Sequence, residues 1–411
     1  MKKLFSILLA VTMIVSVPYA SSAYTREPVI DVNPNGSNVE DTATDLLNAE
    51  KTKISFDSVI VVNSDSLDSD GLSASGLIGA SNGILYCTKY NDSGSKLNKL
   101  LDGDTSKSIY FIGGNQVISQ NFKTKFIKQG YDCTTLAGRT RIETSYRVAK
   151  EIYKLRGSIN SIALTSGFKG VADSISIASA ARLNNMPVIL TNGKFLQFDT
   201  NGIKTYVIGG NKVMSENIAN ETNAIRIAGS NRYETNRKIL EYFGLDNGRY
   251  SLCIGNPAES YYGEEYDDLK TSVLLGCCWT ADPVVLVSNN SDKTILEGAT
   301  YLKEFFFPDE ILDSNCYNAV FGKDVTNAVN SIFKQLKLKR YNNSFWYCAN
   351  EGTCMTSKQL NKYKNDYYIF SWIKEEGEVF DADILVRKSD HKIFCFGYDS
   401  NRPVPFKNFR F

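Results

Sequence analysis

The chain has 411 residues, 43% hydrophobic and 22% charged, with 46 basic against 45 acidic side chains for a formal net charge of +1. That length allows two or more globular domains, and the balanced charge excludes a protein that holds nucleic acid through a general positive field. Nine cysteines are an odd number, and the single histidine, His391, leaves no His-rich ligand set. Neither a regular disulfide framework nor a zinc centre is therefore expected. The thiols read mostly as small buried hydrophobes, with Cys348 and Cys354 an open candidate pair.

Residues 1–23 read as a secretory signal: Lys2 and Lys3 are charged, Leu4 to Val17 are apolar, and Ser21-Ser22-Ala23 form a small-residue cleavage site. The apolar run is short for a membrane span, which needs about 20 residues. Cleavage before Tyr24 removes two lysines and leaves a net charge of 1 − 2 = −1. The ending Asn408-Phe409-Arg410-Phe411 carries no apolar sorting tail, so retention at a surface is expected to be noncovalent. An acidic lead, 24–35, opens a stretch to Glu50 with Arg26 against six acids.

A repeated phrase organises the body of the chain. Gly229-Ser230-Asn231-Arg232-Tyr233-Glu234-Thr235 matches Gly138-Arg139-Thr140-Arg141-Ile142-Glu143-Thr144 in register, with Ala228 and Ala137 before the glycines. A fainter copy, Gly36 to Thr42, has Val39 in place of the arginine. Repetition at a period of roughly 90–100 residues is the mark of stacked structural units. In each unit a Thr can cap a helix; in the second, a helix over 144–155 places Val148, Ala149, Ile152 and Leu155 on one face. A β-branched strand comes after it: Val59 to Val62, Ile162 to Thr165, Leu252 to Ile254. An Asp then heads a small-residue helix, at Asp70, Asp173 and Asp268, where N-capping is the ordinary reading. A second apolar strand comes next. A third leads into Ile112-Gly113-Gly114-Asn115 and Ile208-Gly209-Gly210-Asn211, and in the third unit into a worn Phe321-Gly322-Lys323-Asp324.

Near-continuous apolar strands alternating with helices mean parallel sheets covered on both faces. The expected units are 36–137, 138–228 and 229–335, packed as one body because no Pro/Ser-rich linker divides them. Residues 336–411 change character. Aromatics are dense, and Ile384 to Phe396 read as two strands around a Ser389-Asp390 turn. A small β-rich C-terminal module of α+β class is expected there.

The phrase Ala-Gly-x-x-Arg-Tyr-Glu-Thr, the Asp-headed helix and Ile-Gly-Gly-x-x-x-Val-x-Ser resemble the type 2 cell-wall-binding repeats of clostridial cell wall proteins, over about 300 residues. The resemblance implies three Rossmann-like doubly wound repeats forming a pseudo-trimer. It also implies noncovalent anchoring to an anionic secondary wall polysaccharide of the polysaccharide II type, a place at the Gram-positive cell surface, and S-layer proteins as further partners. The family's Ile-Leu-Leu attachment motif maps onto Ile84-Leu85-Tyr86, Val188-Ile189-Leu190 and Val284-Val285-Leu286, conservatively but nowhere literally. Family members usually add a module of their own, here the C-terminal part.

Arg141 and Arg232 each precede a Glu by two residues, which suggests an internal ion pair. The other use of such arginines is to hold phosphate or carboxylate oxygens of a polymer. Two clusters are candidates for that: Arg139, Arg141 and Arg147, and Arg226, Arg232 and Arg237. A dinucleotide site is not expected, because Gly-x-Gly-x-x-Gly is absent. No cofactor, metal or catalytic residue is assigned. The alternative is a Cys-dependent enzyme in the C-terminal module, with His391 as base beside Cys395, Cys348 or Cys354. Residues four apart on a strand share a face but stand about 13 Å apart.

Overall fold

The computed structural model describes residues 29–32, 55–200, 202–255, 282–304, 310–338, 343–349, 352–374 and 382–408. The signal segment, the first glycine phrase, the insertion Tyr261 to Asp267 and Asp268 lie outside them.

A short strand, β1 (Val29–Val32), comes first. The first unit runs β2 (Ser58–Asn63), α1 (Ala74–Ala80), β3 (Gly83–Thr88), α2 (Ser95–Leu101), β4 (Ser108–Ile112), α3 (Gln120–Lys128) and β5 (Asp132–Leu136). The second runs α4 (Arg141–Arg156), β6 (Ser161–Ser166), α5 (Val171–Leu183), β7 (Val188–Thr191), β8 (Lys204–Ile208), α6 (Glu216–Glu221) and β9 (Ile225–Ile227). The third contributes α7 (Arg232–Tyr242), β10 (Arg249–Ile254), β11 (Val284–Val287), β12 (Tyr301–Glu304) and α8 (Glu310–Val320). The first two form parallel sheets of order β3-β2-β4-β5 and β7-β6-β8-β9. Central strands such as Ser58–Asn63 are buried at every position, as sheets covered on both faces require.

The third sheet has the order β11-β10-β12-β1. Its fourth strand is therefore the N-terminal one, with Val29 opposite Tyr301 in parallel register. The segment that reads as an acidic lead thus closes the last unit and ties the two ends of the repeat region together. Composition hides this strand, because four residues interrupted by Asp31 carry little periodicity.

The glycine phrases have a mechanical explanation. Thr140 and Asn231 cap α4 and α7, accepting from Glu143 N and Glu234 N at 3.2 and 2.9 Å. The helix therefore starts earlier than Thr144, and Thr144 is no cap. Thr144 and Thr235 are buried instead, accepting from Gly138 N and Gly229 N at 3.1 and 2.9 Å. A Cβ at either glycine would run into the first helical turn at Glu143 or Glu234. Leu155, expected on the buried face, is 39% exposed.

The units meet through small residues. α1 packs against α4 and α5, and α5 against α7. Gly76 and Gly79 have no room for a Cβ against the carbonyls of Met186 and Arg182, which is why α1 and α5 are Gly-, Ala- and Ser-rich. The outer strands β7 and β11 are sealed by the first helix of their units, α4 and α7. Ser145 Oγ accepts from Leu190 N at 3.0 Å, and Asn236 both donates to Val284 O at 2.9 Å and accepts from Leu286 N at 3.0 Å. An open strand edge is a liability, and these side chains cover it.

The remaining elements are α9 (Lys323–Leu336), β13 (Asn343–Tyr347), α10 (Ser357–Tyr363), β14 (Tyr367–Lys374), β15 (Ala382–Arg387), β16 (Ile393–Gly397) and β17 (Val404–Pro405), the strands forming one antiparallel sheet in sequence order. α9 packs Val325, Val329, Ile332 and Phe333 on Phe345, Phe370, Trp372 and Cys395. The sequence places this helix in the third repeat, but its apolar face belongs to the C-terminal core. Phe321-Gly322 likewise is the break between α8 and α9 rather than a glycine turn after a strand. On the other face of the sheet, Leu360 of α10 joins Cys348, Met355, Ile369, Leu385 and Phe396. Asn318 of α8 docks this module by donating to Phe345 O at 2.6 Å and accepting from Tyr347 N at 3.0 Å.

Candidate functional site

Open α/β sheets hold ligands where neighbouring strands diverge, at their carboxyl ends. In this chain those crevices lie between β2 and β4 and between β6 and β8. Each holds a buried carboxylate instead of an open cavity. Asp70 lies beside Gly113, where an added Cβ would stand 3.2 Å from its Oδ2, and Asp173 lies against Gly209 and Gly170. Neither is an N-cap through its side chain: Asp70 makes no such bond, and Asp173 lies inside the first turn of α5. Burial pushes both carboxyls up to about 6. Arg141 and a hydrogen bond from Thr144 counter the shift at Asp70, and Arg232 counters it at Asp173. The arginine comes in each case from the following unit. Arg141 donates to Gly167 O at 2.6 Å and lies 5.2 Å from the Phe168 ring centroid; Arg232 donates to Gly255 O.

The expected ion pair within each phrase is not made. Glu143 binds Arg139 at 2.8 Å, and Glu234 binds Lys238 at 2.9 Å and Ser230. Arg141 and Arg232 act as latches between units. Sequence spacing gives no hint of this, because the carboxylates they face, Asp70 and Asp173, lie on the preceding unit, while the carbonyls they hold, Gly167 O and Gly255 O, lie in their own.

The other candidate residues separate into two groups. Arg226 donates to the carbonyls of Gly209, Met214 and Ser215 at 2.8–3.0 Å and pairs with Glu216. Arg237 pairs with Asp292 at 2.6 Å and with Glu241. The second cluster is thus three arginines with three separate sets of partners. The first unit does the work of Arg226 with a residue that spacing could not flag. Lys123, buried on α3, donates to Gly113 O at 3.0 Å, and burial lowers its ammonium to about 8. The nine attachment-motif residues on β3, β7 and β11 are all buried.

Arg139 and Arg147 come together on the second unit. They line a groove of about 990 Å³ that runs along α4, with Lys150 beside them. Its aromatic wall is Tyr146, tilted against Phe198 with ring centroids 5.6 Å apart, and Tyr153, 56% exposed. Arg139 stands with 89% of its side chain exposed, gripping Glu143. The positions spaced three and four apart, 143, 146, 147, 150 and 153, place their groups on one face of α4, and Arg139, just before the N-cap Thr140, joins them by gripping Glu143. The aromatic contribution of Phe198, some fifty residues on, could be found only in three dimensions.

In the C-terminal module His391 Nδ1 lies 3.1 Å from Ser331 Oγ of α9. Cys395 is buried on that same side of the sheet, its thiol pushed up to about 12. Cys348 lies on the opposite face, so His391 does not share a cleft with it. Asp383, fully buried, accepts from the backbone N–H groups of Thr353, Cys354 and Met355 at 2.8–2.9 Å. Its role is to hold that loop. Among the described residues no cluster fit for a metal ion occurs, and no helix is long and apolar enough to cross a membrane.

Residues 35–123 and 135–219 match the family model described as cell wall binding domain 2, and both segments begin just before a glycine phrase. A curated relative, N-acetylmuramoyl-L-alanine amidase LytC of Bacillus subtilis (strain 168), is 27% identical over 228 residues, 54% of this chain and 44% of the relative. That alignment falls on the wall-binding region. The solved structures of Cwp6 and Cwp8 from Clostridium difficile match with TM-scores of 0.59 and 0.56 at 20% identity. They cover 75% and 74% of this chain and 50% and 52% of their own. The chain thus spans about half the length of the proteins it matches. Two segments of the chain match type 2 cell-wall-binding repeats, on a fold similar to that of these clostridial proteins.

Proposed function

We propose that the protein is an exported, non-catalytic surface protein held to the Gram-positive wall by an anionic secondary polysaccharide of the polysaccharide II type. The observation that supports this best is the groove of the second unit. Arg147 and Lys150 carry no ion pair among the described residues, and Tyr146, Tyr153 and Phe198 offer ring faces alongside. Guanidinium and ammonium groups meet the charges of such a polymer, and aromatic faces meet its sugar rings. Arg139 adds a charge that is shared with Glu143.

In this reading Arg141, Arg226, Arg232 and Arg237 serve architecture, and the Ile-Leu-Leu positions act through the folding of β3, β7 and β11. The signal at 1–23 supplies export. The C-terminal sheet, fixed to α8 by Asn318, is the displayed module, with S-layer proteins as candidate neighbours. The test is sedimentation of the full chain with purified walls before and after acid extraction of the anionic polymer. Binding lost on extraction supports the reading. Equal binding to extracted walls overturns it.

A further inference from the structure

We propose a second glycan site, for a neutral N-acetylated hexosamine chain, in the cleft where the third unit meets α8 and α9. The cleft encloses about 600 Å³, within the usual range of small-ligand sites, about 300–1,000 Å³. Its walls come from the loop after β11, from α8 and from the first turns of α9.

The charges around it cancel. Asp292 is gripped by Arg237 at 2.6 Å, and Lys293 Nζ donates to Ser288 O and Ser291 O at 2.7 and 3.1 Å. Glu297 stands at the start of α9, 2.9 Å from where a Cβ on Gly322 would be, with Lys323 the next residue. The lining itself holds two acids against two lysines, and Arg237, outside the lining, is spent on Asp292.

The remaining lining is rich in amides. Asn290 and Asn315 face the cleft, and neither side chain is hydrogen-bonded to another described residue. A carboxamide both donates and accepts, which matches a hydroxyl or an acetamido group and wastes half its capacity on a phosphate or carboxylate. Other asparagines are fully engaged: Asn236 clamps Val284 and Leu286, and Asn318, which also lines the cleft, clamps Phe345 and Tyr347. Asn315, one turn before Asn318 on α8, is turned to the cleft. Ala319 and Val329 supply an apolar floor that takes an acetamido methyl.

This site goes beyond the polymer reading and does not depend on it. With both sites filled, one chain touches wall glycan at two points, and linked sites raise avidity without new contacts. The experiment is calorimetric titration of the full chain with N-acetylglucosamine tetraose, alongside wall-polymer binding. The expected result is saturable binding that falls at least about tenfold in Asn290→Ala/Asn315→Ala and is unchanged in Arg139→Ala/Arg147→Ala. Asn290→Trp, on an exposed loop, blocks the mouth and gives the same loss if the double variant fails to fold. Absence of saturable binding, equal binding by folded Asn290→Trp, or binding of tetra-alanine in place of the saccharide overturns the proposal. Polymer binding is read separately in the same proteins, so either site can fail alone.

Discussion

Replacing Asp173 by Asn probes the latch between the second and third units. The carboxyl is buried against Gly209, and its pKa stands at about 6 against an ordinary 3.8. A folded-state pKa above the unfolded value means that the fold favours the protonated acid. The stability tied to the proton is complete below pH 3.8 and is lost as pH rises through 6. Two pKa units correspond to about 3 kcal/mol at pH 7.5. At pH 4 the same linkage is worth only about 0.5 kcal/mol. Asn keeps the shape and removes the charge. Asp173→Asn is therefore expected to stabilise the full chain by about 2–3 kcal/mol at pH 7.5 and by a few tenths at pH 4. Chemical denaturation at the two pH values measures this. Arg232→Ala removes the compensating charge and should destabilise at pH 7.5 far more than at pH 4. The double variant should recover most of that loss, because the two residues are coupled. A pH-independent effect of Asp173→Asn, or destabilisation at pH 7.5, refutes the reasoning.

Asn236→Ala leaves Val284 O and Leu286 N unpaired in a buried edge, at a cost of about 2–4 kcal/mol in urea unfolding. Gly76→Ala forces α1 away from the Met186 carbonyl and should cost about 1–3 kcal/mol, read as a lower Tm. Lys123 has its pKa lowered by burial, so the fold prefers the neutral amine. Relative to Lys123→Met, the natural chain should gain stability as pH climbs from about 8 toward 10.5, measured by pH-resolved melting.

The strands of the repeats are legible in the sequence because parallel strands buried on both faces read as apolar runs, as in Val59 to Val62. The glycine phrase is legible for a similar reason: steric exclusion at Gly138 and Gly229 permits no other residue, and the repeat exposes it. The closure of the third sheet by Val29–Val32 is not, since its partner Tyr301 lies some 270 residues away. The helix α9 misleads because its apolar face reads the same whichever sheet it covers. Arg141 misleads for a different reason: Glu143 is near in sequence, but Asp70 and Gly167 O are near in space. The groove is half legible, its cations close together in sequence on and just before α4 and Phe198 on a distant segment. The amide-lined cleft is invisible, because asparagines on separate elements leave no pattern in a linear reading.

The most direct test of wall attachment is binding of the Arg139→Ala/Arg147→Ala/Lys150→Ala variant to intact walls across a salt series. These residues line the groove, Arg147 and Lys150 from α4 and Arg139 from just before it, so the fold should melt as before. The account predicts a loss of affinity of at least about tenfold at low salt, with a shallower salt dependence than the natural chain, because fewer charges meet the polymer. Unchanged affinity and an unchanged salt slope in the folded variant would contradict it.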